Sequence, residues 1–319
     1  MGDQWCSAVA FAPVDDAQNP NVRRSGGDPA EPYYRAMTVA FASMRRWNPD
    51  LALRLITNVE PPQQHAAAME LLQVAVVEAP FDHRPPRGFY PMFAGSLYQL
   101  DAMRAAPDTS TLFIDPDILC IRPIDAMLAG PDGEVGVLPL PYPDDEDVNG
   151  LTARQAGELH GLLGEPVLAA DHYGGECFAV PASESELILE RAERAWRLSL
   201  ERFEQGSTRF TTEEHLLNFA LRRVNTRSLE PYVRRIWTTP RHRTVDGHES
   251  DLTLWHLPAE KGRGFRALHK FAVDTESWFW AAEPPVWRER AARAMGLSHR
   301  SIARWARDTA GRAVAGVGR

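Results

Sequence analysis

Thr111 to Arg122, reading Thr-Leu-Phe-Ile-Asp-Pro-Asp-Ile-Leu-Cys-Ile-Arg, limits the fold more than any other stretch. Leu112 to Ile114 and Ile118 to Ile121 are short, unbroken apolar runs, the pattern of strands buried on both faces. Pro116 has no amide to donate and restricts the residue before it. It therefore ends the first strand's ladder and leaves Asp115 at the tip, two residues from Asp117. Two carboxylates there form an oxygen-rich site suited to a divalent cation that in turn holds phosphate, because the metal cancels charges that otherwise repel. Taken alone, Asp-x-Asp is common and reads first as a solvated acidic strand end; the flanking strands and the downstream residues favour the cation site.

The chain before this stretch alternates strand and helix. Trp5 to Ala12 reads as a strand, Tyr33 to Trp47 as a helix with Met37, Phe41 and Met44 at helical spacing, and Leu51 to Ile56 as a strand. A helix around His65 to Leu72 and a strand at Val74 to Val77 follow. Such alternation implies an α/β fold, Rossmann-like, with a mostly parallel central sheet and helices on both faces. Ligands on such sheets gather at the carboxyl ends of the strands, where Asp115 and Asp117 lie. The polar segment Pro13 to Asp28, directly after the first strand, is placed to receive a ligand.

The second half supplies further candidates. A helix is expected over Ser96 to Ala105 and a strand over Val135 to Leu140, followed by the acidic run Pro141 to Asp147, read as a solvated loop rather than a second metal site. Gly174 and Gly175 open the apolar segment up to Val180, where they permit close approach of backbone to a ligand or an ordinary turn. Helices are expected over Glu184 to Gln205 and Thr212 to Arg223. Thr211 or Thr212 caps the latter, and Glu213 and Glu214 complement its dipole, leaving one of the two free to face a cleft. Asp251 to Leu257 reads as a late strand with His256 near its end, and Pro258 to Gly264 as a short loop carrying Lys261 and Arg263. Imidazole ligates manganese or zinc, and lysine or arginine neutralises phosphate, although a lone histidine after a strand is more often a core residue.

Composition narrows the partners. The three cysteines, Cys6, Cys120 and Cys177, lie too far apart for a zinc motif and suit a reducing cytoplasm. Met1 to Cys6 carries no signal pattern, and no segment approaches the roughly twenty apolar residues of a membrane span. The net charge is −8, but Pro284 to Arg319 holds eight arginines against Glu289 and Asp308, about +6, which leaves about −14 elsewhere. That balance excludes nucleic acid as a partner of the body. The basic tail, helical over Trp287 to Ala313 with Ile302 and Trp305 on one face, suits packing on the body or on a second subunit, and secondarily an anionic lipid surface at the inner membrane face.

Together these residues resemble the GT-A-fold glycosyltransferases, nearest to glycosyltransferase family 8. Leu-Phe-Ile-Asp-Pro-Asp-Ile-Leu resembles that family's hydrophobic-flanked DxD, and Tyr173-Gly-Gly-Glu-Cys-Phe-Ala-Val180 its Asn-x-Gly strand opening. Thr212-Glu-Glu-His-Leu-Leu-Asn218 is similar to the Asp-Gln-Asp-x-Leu-Asn helix start, and His256 with Lys261 and Gly262 to the His-x-x-Gly-x-x-Lys loop. The likeness spans roughly residues 5 to 280.

The resemblance implies a catalytic domain over 1–283 with a helical tail over 284–319, and transfer of a sugar from a nucleotide-diphosphate donor, usually a UDP-sugar, to an acceptor hydroxyl with retention. It makes Asp115, Asp117 and His256 the ligands of Mn2+ or Mg2+ and places Lys261 or Arg263 on the diphosphate. Phe11, Ala12 and Pro13, with Tyr34 and Arg35, form the nucleotide pocket, and Asp115 also meets the donor. Tyr173, Gly174, Gly175 and Glu176 lie on the sugar or acceptor side. Glu213 aligns with the family's Asp and Glu214 with its Gln as the catalytic pair. The acceptor is a small molecule, a glycan or lipid-linked. The rival readings are a non-catalytic homologue that binds nucleotide sugars and an aspartyl-phosphate phosphatase, in which the first aspartate is the nucleophile.

Overall fold

A computed structural model describes residues 5–14, 28–106, 108–131 and 133–297. The first half winds β1 (Trp5–Phe11), α1 (Glu31–Trp47), β2 (Ala52–Thr57), α2 (Gln63–Leu71), β3 (Val74–Glu78), α3 (Tyr98–Arg104) and β4 (Ser110–Ile114). After the Asp-Pro-Asp turn come β5 (Ile118–Cys120), α4 (Asp125–Leu128), β6 (Val135–Pro139), α5 (Ala153–Leu162), β7 (Tyr173–Val180), α6 (Ala182–Glu204) and α7 (Glu213–Ala220). The chain closes through β8 (Thr226–Ser228), β9 (Val233–Arg235), β10 (Leu254–His256), α8 (Arg266–Ala272), α9 (Trp278–Ala281) and α10 (Pro284–Ala294).

Seven strands form one sheet in the order β3-β2-β1-β4-β7-β6-β8, in which β7 alone runs against its neighbours. The period-2 alternation of its central strands divides the core. Val9, Leu112, Ile114, Cys177 and Ala179 face a cluster built with α1, α8 and α10, while Ala8, Phe113, Phe178 and Val180 face one built with α3, α6 and α7. Both faces are thus covered, as uninterrupted apolar strands require.

The two apolar runs around Asp-Pro-Asp belong to different sheets. Asp115 N donates to Glu176 O (3.0 Å), the last link of β4 to β7. Beyond Pro116 the chain leaves for a small sheet, β5-β10-β9, and Asp117 O accepts from Leu257 N (3.0 Å). The turn is therefore the crossover between the sheets, and it draws the start of β7 and the end of β10 to one point.

Several boundaries differ from the sequence reading. The late strand covers only Leu254–His256, because residues 249–251 form a 3-10 turn. The expected loop after it is a 3-10 turn at Pro258–Glu260 and a π-turn at Lys261–Phe265, which runs straight into α8. The tail helix does not reach Ala313 unbroken: α10 ends at Ala294 and the chain turns at Gly296 with φ +74°. Trp287 is fully buried between Trp47 (centroids 5.6 Å) and Phe279 (5.3 Å), so α10 packs on the body. Ile302 and Trp305 lie outside the described residues, as does 15–27 of the polar loop. No helix among the described residues is long and apolar enough to cross a membrane.

Candidate active site

A cavity of about 660 Å3 opens at the carboxyl end of β1 and β4. On one side, Asp115, Asp117 and His256 converge: one ligand atom of each lies within 4.8 Å of the others. His256 Nε2 is 3.4 Å from Asp115 Oδ2 and 3.5 Å from Asp117 Oδ1, and its Nδ1 is 3.1 Å from Glu176 Oε1. Glu176 thereby orients the ring and leaves Nε2 facing the aspartates, the arrangement that prepares a metal-ligating histidine. Asp117 is fully buried, yet its Oδ1 accepts no hydrogen bond. An orphaned carboxylate oxygen beside a second carboxylate and an oriented imidazole fits a divalent cation such as Mn2+ or Mg2+. Among the described residues no other His, Cys, Asp and Glu group converges in this way.

Lys261 Nζ donates to Asp117 Oδ2 and lies 5.5 Å from the Tyr33 ring centroid. Its position is set by the π-turn. Glu260 accepts from Gly264 N (3.2 Å), and a Cβ on Gly264 would lie 2.4 Å from Met295 Sδ, so α10 closes directly onto the turn that holds Lys261. Burial alone would raise Asp117, but Lys261 and His256 outweigh it and hold the carboxyl well below its usual range. Asp115, 44% exposed at the side chain, is raised by its enclosure in the cleft and by the charge of Asp117. Burial opposes protonation of His256, yet Asp117 and Glu176 prevail and lift the ring to about 9.

The other side is built on the start of α7. Glu214 Oε1 accepts from Gly175 N (2.9 Å) and Arg235 Nη2 (3.1 Å); its Oε2 accepts from Asn149 Nδ2 (2.9 Å) and lies 3.3 Å from His172 Nε2. Against burial, His172 and Arg235 keep Glu214 at about 2. Glu213 lies next to it with no cationic partner, and burial together with the Glu214 charge outweighs its hydrogen bond from the Ser96 hydroxyl and pushes it up to about 8. Arg235 also holds Glu176, through Nε to Oε1 (2.8 Å) and Nη2 to Oε2 (2.6 Å). It therefore joins the two sides in one chain: His256, Glu176, Arg235, Glu214.

The chain matches no protein-family model and no curated protein sequence. Solved structures do resemble it. The galactosyltransferase LgtC, in complex with donor and acceptor sugar analogues, aligns over 95% of this chain and 99% of its own, at 12% identity and TM-score 0.51. The bifunctional glycosyltransferase WbbM aligns over 90% of this chain and 52% of its own (9% identity, TM-score 0.52), and the glycosyltransferase GlyE of Streptococcus pneumoniae TIGR4 over 90% and 64% (12% identity, TM-score 0.50). The fold is that of the GT-A glycosyltransferases.

Within the GT-A frame the structure gathers Phe11, Ala12, Pro13, Asp115, Asp117, Gly175, Glu176, Glu213, Glu214, His256 and Lys261 around one cleft. It does not bring the remaining candidates there. Tyr34 is buried, stacked on His65 (5.1 Å), and Tyr33 takes the cleft wall instead. Arg35 pairs with Glu31 (2.7 Å), Arg263 is exposed on the far side of the π-turn, and neither Tyr173 nor Gly174 lines the cavity. A Cβ on Gly174 would meet Glu176 Oε2 at 2.1 Å, so this glycine makes room for the carboxylate rather than for a ligand. The sequence reading missed Arg235, Asn149, Ser96 and Trp237, all of which line the cleft. The acidic run is solvated: Asp144, Asp145 and Glu146 are exposed.

Proposed function

We propose that the chain is a metal-dependent glycosyltransferase that moves a sugar from a nucleoside-diphosphate donor, a UDP-sugar, to an acceptor hydroxyl, with retention of anomeric configuration. The observation that carries this reading is the convergence of Asp115, Asp117 and His256, with Lys261 beside them, opposite the Glu213–Glu214 pair in one cleft of a GT-A fold. Asp115, Asp117 and His256 would hold the cation, which when bound supplies Lewis-acid stabilisation of the departing diphosphate. Lys261, an ammonium in the same corner, neutralises diphosphate oxygens, and Phe11 to Pro13 with Tyr33 form the nucleotide wall.

Glycosyl transfer develops positive charge at the anomeric carbon while the leaving group becomes more negative. Glu214, kept ionised by Arg235, Gly175 and Asn149, stabilises that positive charge more strongly in the transition state than in the ground state. Glu213, which retains its proton near neutrality, donates a hydrogen bond to a sugar hydroxyl.

Calorimetric titration of UDP into the protein with Mn2+, with EDTA, and into Asp117→Ala tests the reading. UDP is expected to bind with Mn2+ and to lose about a hundredfold or more in affinity in the other two conditions. Equal binding in all three would remove the metal role of Asp115, Asp117 and His256, and the proposal with it.

A further inference from the structure

We propose that His83 is a proton-operated anchor for the segment that forms one rim of the cleft, clasping it to α6 while the ring is protonated and releasing it when the ring is neutral. The proposal stands apart from the donor reading. Arg84, the next residue, lines the cavity, and Pro85 to Gly88 carry the chain on to Phe89. Two buried side chains tie this segment down. Phe89 packs against Trp196 (centroids 5.3 Å) and Phe203 (5.5 Å), an apolar contact that no proton alters. His83 is held by charge instead. Its Nδ1 lies 2.7 Å from Asp101 Oδ1 on α3, and its Nε2 lies 3.1 Å from Glu193 Oε1 on α6. The His83 amide also donates to Asp101 Oδ2 (3.1 Å). Between the anchors Phe89 N donates to Pro86 O (3.0 Å), and Pro85 and Pro86 have no amide to give.

A neutral imidazole carries one N–H, so a carboxylate on each of its nitrogens calls for the imidazolium. Burial opposes that charge, yet Asp101 and Glu193 outweigh it and raise His83 above its ordinary value. Two further charged groups meet the cluster, Arg104 on α3 and Asp82 beside His83 in the chain. Arg104 Nη1 lies 3.0 Å from Asp82 Oδ2 and 3.5 Å from Asp101 Oδ1; its Nη2 donates to Glu193 and lies 3.5 Å from His83 Nε2. The Trp196 ring, 6.0 Å from the imidazole, closes the α6 side. Burial would raise Glu193, but Arg104 and His83 bring it below its ordinary value; burial would lower Arg104, but Glu193 and Asp101 bring it above. Both therefore stay charged while His83 gives up its proton. The neutral ring keeps its N–H for Asp101 and turns a lone pair at Nε2 toward Glu193. Arg104 Nη2 is the donor within reach of that lone pair, so it is drawn off Glu193 and the link from the rim to α6 is lost. Because His83 is raised, its contribution is full below about 6.5 and is lost as pH rises through its folded value.

Trypsin reads the segment directly, since Arg87 is exposed and followed by Gly88, whereas Arg84 is protected by Pro85. Cleavage of a folded chain tracks the population of the locally opened segment. The rate at the Arg87–Gly88 bond of the full chain, divided by that of a short peptide of the same sequence at the same pH, is expected to rise at least about threefold from about pH 6 to 9. In His83→Gln the ratio should start higher and stay level. Glu193→Gln, which leaves His83 paired with Asp101, should show a smaller rise, and it carries the test if His83→Gln does not fold. The Arg154–Gln155 bond on α5, followed in the same digest, should show no rise. A level ratio in the unmodified chain, an equal rise in His83→Gln, or an equal rise at Arg154–Gln155 would each overturn the anchor, as would a segment that resists trypsin throughout.

Discussion

Two pairs of carboxylates face each other across the cleft, and they share an electrostatic plan. In each, one member is clamped by a cation and ionises readily, Asp117 by Lys261 and Glu214 by Arg235, while its partner is raised, Asp115 and Glu213. They differ in how the clamped member is finished. Asp117 keeps one bare oxygen and pairs with a compact ammonium on a flexible stem. Glu214 is closed by a backbone amide, an asparagine, a histidine and a rigid guanidinium fork. The first pair is open to an exchange of counter-charge and suits a cation; the second is saturated and suits a fixed negative charge beside a reacting carbon. Like charge totals thus serve unlike chemistry because the hydrogen bonds around them differ.

The largest expected effect breaks the comparison at its cations. In Arg235→Met the Glu176 carboxylate, fully buried, loses its main counter-charge, and removal of one partner from such a pair costs about 3–5 kcal/mol. Urea denaturation should show that loss, unchanged by Mn2+, because no ligand of the proposed metal site replaces a guanidinium between Glu176 and Glu214. Lys261→Met should also lose stability in EDTA but regain most of it in excess Mn2+, since a cation bound only by the folded state stabilises it by mass action. Equal rescue of both variants, or of neither, would show that the two centres are not open and closed as described.

The same contrast explains what the sequence discloses. Asp115 and Asp117 are legible because an apolar run and a proline place them at a strand tip, which is local information. Arg235 is not. It sits on a three-residue strand in a stretch where Val233 and Ile236 are buried and Arg234 and Arg235 look like a solvated edge, while its partners lie 59 and 21 residues away. The choice of Tyr34 over Tyr33 is an error of about 100° of helix rotation, and both neighbours on α1 are aromatic. The second sheet was illegible for a related reason: β4 and β5 have the same apolar character, and only long-range pairing separates them. Helix α5, which the sequence analysis did not identify, starts with the capping box Thr152-x-x-Gln155, closed at both bonds.

A smaller effect perturbs the closed pair alone. Gly175→Ala would set a Cβ 2.5 Å from Glu213 Oε1 and 3.0 Å from Glu214 Cγ. The glutamate ends must move, and the expected cost is about 1–3 kcal/mol in urea unfolding. Mn2+-dependent UDP affinity should change by less than about threefold, since the open pair is untouched. A variant that loses UDP binding while keeping its stability would mean that the pairs are coupled more tightly than the chain through Arg235 provides.

The smallest effect separates the two glutamates by pH. Glu213 is raised from 4.5 to about 8, so the fold holds a proton that the unfolded chain releases; its contribution is full below about 4.5 and is lost as pH rises toward 8. Glutamine keeps the shape without the ionisation, so Glu213→Gln should gain steadily on the unmodified chain as pH rises from 5 to 8. Glu214 is lowered from 4.5 to about 2, and the sign reverses: its contribution is full above about 4.5 and is lost as pH falls toward 2. Glu214→Gln should therefore be the less stable chain at pH 5 and should close the gap as the solution is acidified. Urea midpoints for both variants across pH 3 to 8 decide the matter, because groups remote from the pair cancel in the difference from the unmodified chain, while Glu213, which feels the Glu214 charge, falls back toward its ordinary value in Glu214→Gln. Parallel curves would mean that Arg235 does not distinguish the two carboxyls, and the closed pair would then lose its division into a fixed anion and a proton-bearing neighbour.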